Sequence, residues 1–355
     1  MSPAALGLLS ASGVELVRQI GIDVVRGVVL DVLTGRNLRD STEVLTRRRI
    51  AALNLATINL FLQGTARSKD FVEQLPHLAT DILQRQRLTK TERWLAQWVL
   101  GLTDKGVQNV LRDDSEALAR YRDRYIETCR EVIAYHRETA GEMNGKLKLT
   151  SGVEAEINWL LMTYLLNAIG AQTLAIRGSE KSAYGKLFEK LILGSLLHIL
   201  GFEYVTPPLT KLDRVFWLSS REERRESDAT LIYEPGRAVR FDIGFIGRGN
   251  PEISLDKVTR FERVISLQGS HFYLATIILV DRISTNSRIE RLAQEVQGTI
   301  IQMSASYWPQ QVARELNRVL GFKHKLLNLN QSQIEGFLKK EIQNAPLEKF
   351  IGLKS

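Results

Sequence analysis

The chain has a single cysteine, Cys129, and no CxxC pair or Cys/His cluster, so an internal disulfide is excluded and zinc ligands at their usual spacing are missing. A reducing, cytoplasmic location is the expectation that follows. Histidine is sparse too. His77, His136, His198, His271 and His324 are scattered, none at the i, i+4 spacing that places two ligands on one helix face, and each reads as a surface or core residue. No GxxxxGK[ST] run occurs, so no nucleotide cofactor is expected. Glu15, Arg18, Asp23 and Arg26 interrupt the apolar residues near the N-terminus, and no signal peptide is read there. The stretch Ile157–Ile176 has no charge over 20 residues, enough to cross a bilayer. Its Asn158, Thr163, Asn167, Gln172 and Thr173 would lack partners in lipid, so a buried core helix is expected and no membrane.

What the chain does have is size, apolar content and positive charge. With 355 residues, 44% of them hydrophobic, it is long enough for two packed domains. A formal net charge of +8 points toward an anionic partner such as nucleic acid. The basic clusters Arg47–Arg49 and Arg221–Arg225 suit phosphate contacts, but helical faces with interspersed Glu are more often merely solvated.

Residues 1–178 read as a helical N-terminal domain for DNA contact or dimerisation, with helix starts expected at the capping-box patterns Asp40/Glu43, Thr89/Glu92 and Ser151/Glu154 and a linker over Glu142–Thr150. After Arg177 the pattern changes. Ser182–Leu200 reads as an amphipathic helix stopped by Gly201, Phe202–Val205 as a short strand, and Ser219–Ser227 as a charged helix or loop. Ala229–Tyr233 and Ala238–Ile246 form an expected hairpin around a Pro235-Gly236 turn. A helix over Ser254–Gln268 and a strand over Phe272–Asp281 complete the series. The order implies an α/β fold, a central mixed sheet flanked by helices, with a catalytic domain at 179–325 and a helical tail at 326–355.

Hydrolysis of a phosphodiester calls for neutralising charge on phosphorus and ionising water near neutral pH, chemistry that a carboxylate-held Mg²⁺ supplies. Asp228 and Asp242 are the natural pair, at the open end of the hairpin. Register decides whether they share a face. If Pro235-Gly236 is the whole loop, Asp242 pairs with Ala229 and Asp228 points to the other side; a one-residue bulge brings both carboxylates to one face.

The helix GKLFEKLILGSLLHILGF, a strand, then Ser227-Asp228-Ala229 and Phe241-Asp242-Ile243-Gly244 resemble the PD-(D/E)XK nuclease core of type II restriction endonucleases over about residues 182–282. Within those, FDIGFIGRGNPEISLDK looks most like the CfrBI and StyI group. The resemblance implies Mg²⁺-dependent cleavage of double-stranded DNA at a short palindrome, CCWWGG in that group, leaving 5′-phosphate ends. It also implies a homodimer in a restriction-modification system. Asp228 and Asp242 then take the motif's two acidic, metal-holding places. Glu189 resembles the additional acid of the preceding helix, or is a surface carboxylate beside Lys190. The motif's lysine is missing, because the position two residues after Asp242 is Gly244. Lys257 is the replacement, unless it is an exposed lysine paired with Asp256 or Glu252. Arg248 and Asn250, in the loop Gly247-Arg248-Gly249-Asn250, suit contact with a DNA phosphate, although a tight strand-to-helix connection explains the glycines equally well. Another repair or junction nuclease on the same core, or a non-catalytic DNA-binding regulator, is the alternative.

Overall fold

The first described helix is α1 (Gly13–Ile20), and α2 (Ile22–Leu33) follows it. On α2, Val25, Val28, Val29, Val32 and Leu33 are all buried, at the three-to-four-residue spacing that turns one helix face inward. The computed structural model describes residues 13–110, 116–206, 211–219, 227–245, 275–281 and 298–353. Next come α3 (Leu38–Arg67), α4 (Phe71–Leu83), α5 (Lys90–Val99), α6 (Asp104–Val110) and α7 (Ala117–Ala140). An antiparallel pair, β1 (Gly145–Lys148) and β2 (Glu154–Ile157), precedes the 41-residue α8 (Trp159–Ile199). Strands β3 (Glu203–Tyr204), β4 (Val215–Leu218), β5 (Ala229–Glu234), β6 (Arg237–Gly244), β7 (Ala275–Val280) and β8 (Gly298–Gln302) lead to α9 (Trp308–Leu320), α10 (Gln331–Glu341) and α11 (Leu347–Phe350).

Two compact units divide the described chain, Leu45–Lys181 in one and Gly13–Val44 with Ser182–Ser355 in the other. This partition differs from sequence-drawn cuts at 178 and 325. One seam lies near 178, but residues 13–44 group with the sheet, and so does the C-terminal tail. The joining contacts are hydrogen bonds between residues hundreds of positions apart. Arg26 donates to the carbonyls of Ile342 (2.5 Å) and Ala345 (3.0 Å), and the indole of Trp308 donates to the carbonyl of Val32 at 2.8 Å. No periodicity reports such contacts, since they depend on which surfaces meet.

In the helical unit, Leu53, Phe61, Trp98, Leu100, Leu161 and Tyr164 belong to one buried cluster. The stretch Trp159–Gly178 is long and apolar enough to cross a membrane by length and composition, yet its amides are engaged inside the protein. Asn158 accepts from the Leu161 amide at 2.9 Å, and Asn167 donates to the Tyr125 hydroxyl at 3.1 Å. Gln172, fully buried, accepts from Thr57 and donates to Asn54, both at 2.8 Å. Such pairing offsets the cost of burying an amide, and it ties α8 to α3.

Of the three expected capping boxes, only Thr89/Glu92 forms, with both reciprocal bonds present. Asp40 lies inside α3, whose first turn is instead capped by Asn37, accepting from the Arg39 amide at 2.8 Å. Ser151 sits in the β1–β2 turn and Glu154 opens β2, so the expected linker is partly a hairpin. The motif S-x-x-E specifies a local hydrogen-bond geometry that a turn satisfies as well as a helix does. The helix expected at Ser182–Leu200 is continuous with the apolar stretch before it as α8. It ends as expected: Gly201 has φ +86°, its amide bonds to the His198 carbonyl at 2.8 Å, and the Phe202 amide bonds to that of Leu197 at 3.1 Å. This is the paired-bond stop that favours glycine.

Among the described residues the second unit holds a six-stranded mixed sheet in sequential order, β3 to β8. Pairing is parallel for β3/β4, antiparallel for β4/β5 and β5/β6, and parallel for β6/β7 and β7/β8. Sequence reading anticipates β3, the β5–β6 hairpin and β7, and misses β4 and β8. Each missed strand is four or five residues long, too short for a clear period-two signal. One sheet face carries Phe216, Leu231, Val239, Phe241, Ile243, Ile277 and Leu279, all at 0% exposure. Phe216 and Tyr204 meet the ring of Phe350 at 6.1 and 5.3 Å between centroids. That ring also lies against Gly194 of α8, where an added Cβ would stand 2.6 Å from it. The small residue lets helix and ring approach closely.

Candidate active site

The hairpin β5–β6 turns at Pro235-Gly236, with Gly236 at φ +79°, the left-handed position that a type II turn gives to glycine. Its ladder runs Ala229↔Phe241, Thr230↔Arg240, Leu231↔Val239 and Ile232↔Ala238, then shifts by one residue to Glu234↔Arg237. Of the two registers open in the sequence, the irregular one is present. The ladder ends at Ala229↔Phe241, with Asp228 directly before it on one side and Asp242 directly after it on the other, and the Asp228 amide bonds to the Phe241 carbonyl.

Asp228 is fastened on both sides. Its amide donates to the Phe241 carbonyl at 3.0 Å and its carbonyl accepts from the Ser219 amide at 3.1 Å. Its Oδ2 accepts from the Ile243 amide at 2.9 Å. Phe241 and Ile243 flank Asp242, so Asp228 brackets that residue with one backbone bond and one side-chain bond. The preceding Ser227 is buried, with its hydroxyl 3.1 Å from that of Thr230 and its carbonyl receiving the Ser219 hydroxyl. Small hydroxylated residues satisfy one another here and hold the start of β5 against the end of β4. Both aspartates are half-buried.

Asp228 and Asp242 are neighbours at the open end of the hairpin, and carboxylate oxygens are the hard donors that a divalent cation takes, one or two of them from protein. Among the described residues, no group of three or more His, Cys, Asp or Glu is gathered closely enough to hold a metal. Glu189 lies half-exposed on α8 beside the fully buried Phe188, and does not make a third member of such a group with the aspartates. Gly244 occupies the place of the expected lysine, in β6 opposite Val280. Lys257, Arg248, Asn250 and Arg221–Arg225 lie outside the described residues. In the other cluster, Arg47 and Arg48 are exposed while Arg49 is buried at 5%, so that cluster is not one continuous exposed face.

Sequence reading passes over one residue, Arg240. It lies two positions before Asp242 on β6 and is 3% exposed. Period-two counting along the strand puts both on one face, and this signal was available without any structure.

The mixed sheet with helices beside it is consistent with a restriction endonuclease. Comparison with known proteins gives the family directly. Residues 22–288 match the model of the CfrBI restriction endonuclease family. The type II restriction enzyme CfrBI of Citrobacter freundii is 38% identical over 325 residues, covering 90% of this chain and 88% of the relative. This chain belongs to the CfrBI restriction endonuclease family, and is a type II restriction endonuclease acting on double-stranded DNA. No solved structure matches it.

Proposed function

We propose that this enzyme hydrolyses double-stranded DNA with Mg²⁺ held by Asp228 and Asp242, on a PD-(D/E)XK core. The observation that carries the reading is the bracketing of Asp242 by Asp228, through the Phe241 carbonyl and the Ile243 amide, in a chain of this family. The donor set fits the ion: two carboxylates at the end of one hairpin, with the number and hardness of oxygens that Mg²⁺ takes from protein. When bound, Mg²⁺ supplies Lewis acidity toward phosphoryl oxygens and promotes ionisation of water. The protein's part is to hold the carboxylates in place, and the backbone bonds of Asp228 fix its side of the pair.

Lys257 assists the attacking water, a role that rests on the resemblance to the family, and Arg248 and Asn250 contact DNA phosphate, because glycine allows close approach and a guanidinium binds phosphate in a fork. In-line attack leaves a 5′-phosphate and a 3′-hydroxyl. The target is a short palindrome, CCWWGG by the same resemblance, and a palindrome is matched by a twofold homodimer. In this reading the helical unit Leu45–Lys181 serves DNA contact or dimerisation, the unit of Gly13–Val44 and Ser182–Ser355 serves catalysis, and the enzyme works in the cytoplasm.

The test is incubation of the purified protein with unmethylated phage DNA, with and without Mg²⁺, followed by sequencing of the ends. Discrete Mg²⁺-dependent fragments ending at CCWWGG are expected. Fragments at another sequence would overturn the target alone, and cleavage in the presence of a chelator would overturn the metal assignment.

A further inference from the structure

We infer that Arg240 is a positioning residue for the two aspartates, holding a buried positive charge on the face of strand β6 that bears Asp242. The inference rests on the proposed active site and goes beyond it.

Arg240 is 3% exposed, and a guanidinium stays charged at any pH a protein survives. A buried cation needs a counter-charge, because its desolvation is otherwise uncompensated. The ladder narrows where that charge can stand. Arg240 pairs with Thr230 on β5 and with Thr276 on β7, residues 4% and 5% exposed that bear hydroxyls and no charge. One step along the same face of β6 is Asp242, about 7 Å away between Cα atoms, within the reach of an arginine side chain. Asp228, bound to both flanks of Asp242, is the next carboxylate. Among the described residues of β5, β6 and β7, Asp242 is the acid that strand alternation brings to that face next to Arg240.

A cation below the pair has two effects of opposite sign. It offsets the repulsion between the carboxylates and fixes the direction of Asp242, and it also repels an incoming divalent ion. Its loss should therefore impair cleavage while tightening metal binding, a combination that general structural damage does not produce.

The experiment uses full-length wild type, Arg240→Met, Asp242→Asn, the double variant and Arg240→Lys. Cleavage by Arg240→Met is expected to fall about 10- to 100-fold, with partial recovery in Arg240→Lys. Calorimetric Ca²⁺ affinity of Arg240→Met is expected to rise at least about threefold. Melting midpoints should be non-additive across the cycle by more than about 2 °C, because Asp242→Asn removes the charge left uncompensated by Arg240→Met. If Arg240→Met does not fold, folding of the double variant supports the pairing, and its failure overturns it. Additive midpoints, or a parallel fall in cleavage and Ca²⁺ affinity, also overturn it. The melting cycle requires no cleavage. Full activity of Asp228→Asn and Asp242→Asn would defeat the active-site reading instead.

Discussion

The side-chain amide of Asn37 donates to the carboxylate of Asp281 at 2.5 Å, across 244 residues of chain. Asn37 caps α3, and Asp281 directly follows β7, the parallel neighbour of the strand that bears Asp242. Asn37→Ala removes both the cap and a bond to a charged acceptor. A loss of about 2–4 kcal/mol in urea unfolding is expected. A loss under about 0.5 kcal/mol would mean that this link contributes nothing.

Asp228 has separable structural and chemical parts. Asp228→Ala removes the acceptor for the Ile243 amide and is expected to lose about 1–3 kcal/mol of stability along with activity. Asp228→Asn retains an acceptor oxygen, so it should melt close to wild type while cleavage falls at least about a hundredfold. Equal melting of the two variants would count against the side-chain bond.

Gly194→Ala puts a methyl group 2.6 Å from the Phe350 ring. Overpacking of this kind costs about 1–3 kcal/mol. Phe350→Leu in the same chain should recover part of that loss by vacating the space. A Gly194→Ala protein as stable as wild type would show that the ring moves aside freely.

His324 and His198 both titrate below the ordinary 6.5, chiefly because burial disfavours their charged forms. For His324 the neighbouring Lys325 acts in the same direction, and its Nδ1 accepts from the Leu326 amide at 3.2 Å, a role only the unprotonated nitrogen can fill. The unfolded chain binds these protons more readily, so stability is complete above pH 6.5 and declines as pH falls below it. Melting temperature should drop between pH 7 and pH 5. In His324→Asn, which keeps an acceptor, that dependence should be shallower; an unchanged slope would remove His324 from the account.

The hairpin and its aspartates were legible because Pro-Gly turns and β-prone runs are local signals. The register was not, since the choice between two pairings depends on an irregularity at Tyr233 that no residue type announces. Gly201 was legible as a helix stop, whereas Asp40 was misread as a helix start: its motif is genuine, but Asn37, three residues earlier, already satisfies the first turn. Arg240 shares the period-two face of Asp242, but its burial is not legible, because an arginine in a strand is exposed far more often than buried.

The unit that carries both aspartates draws on residues from both ends of the described chain, with Arg26 bonded to Ile342 and Ala345, and Val32 to Trp308. During synthesis, then, the early segment leaves the ribosome about three hundred residues before its partners exist, at elongation rates of about 5–20 residues per second. A chain arrested before Trp308 should be protease-sensitive around Asp228, so the capacity to cut DNA would arise only late in each molecule's manufacture.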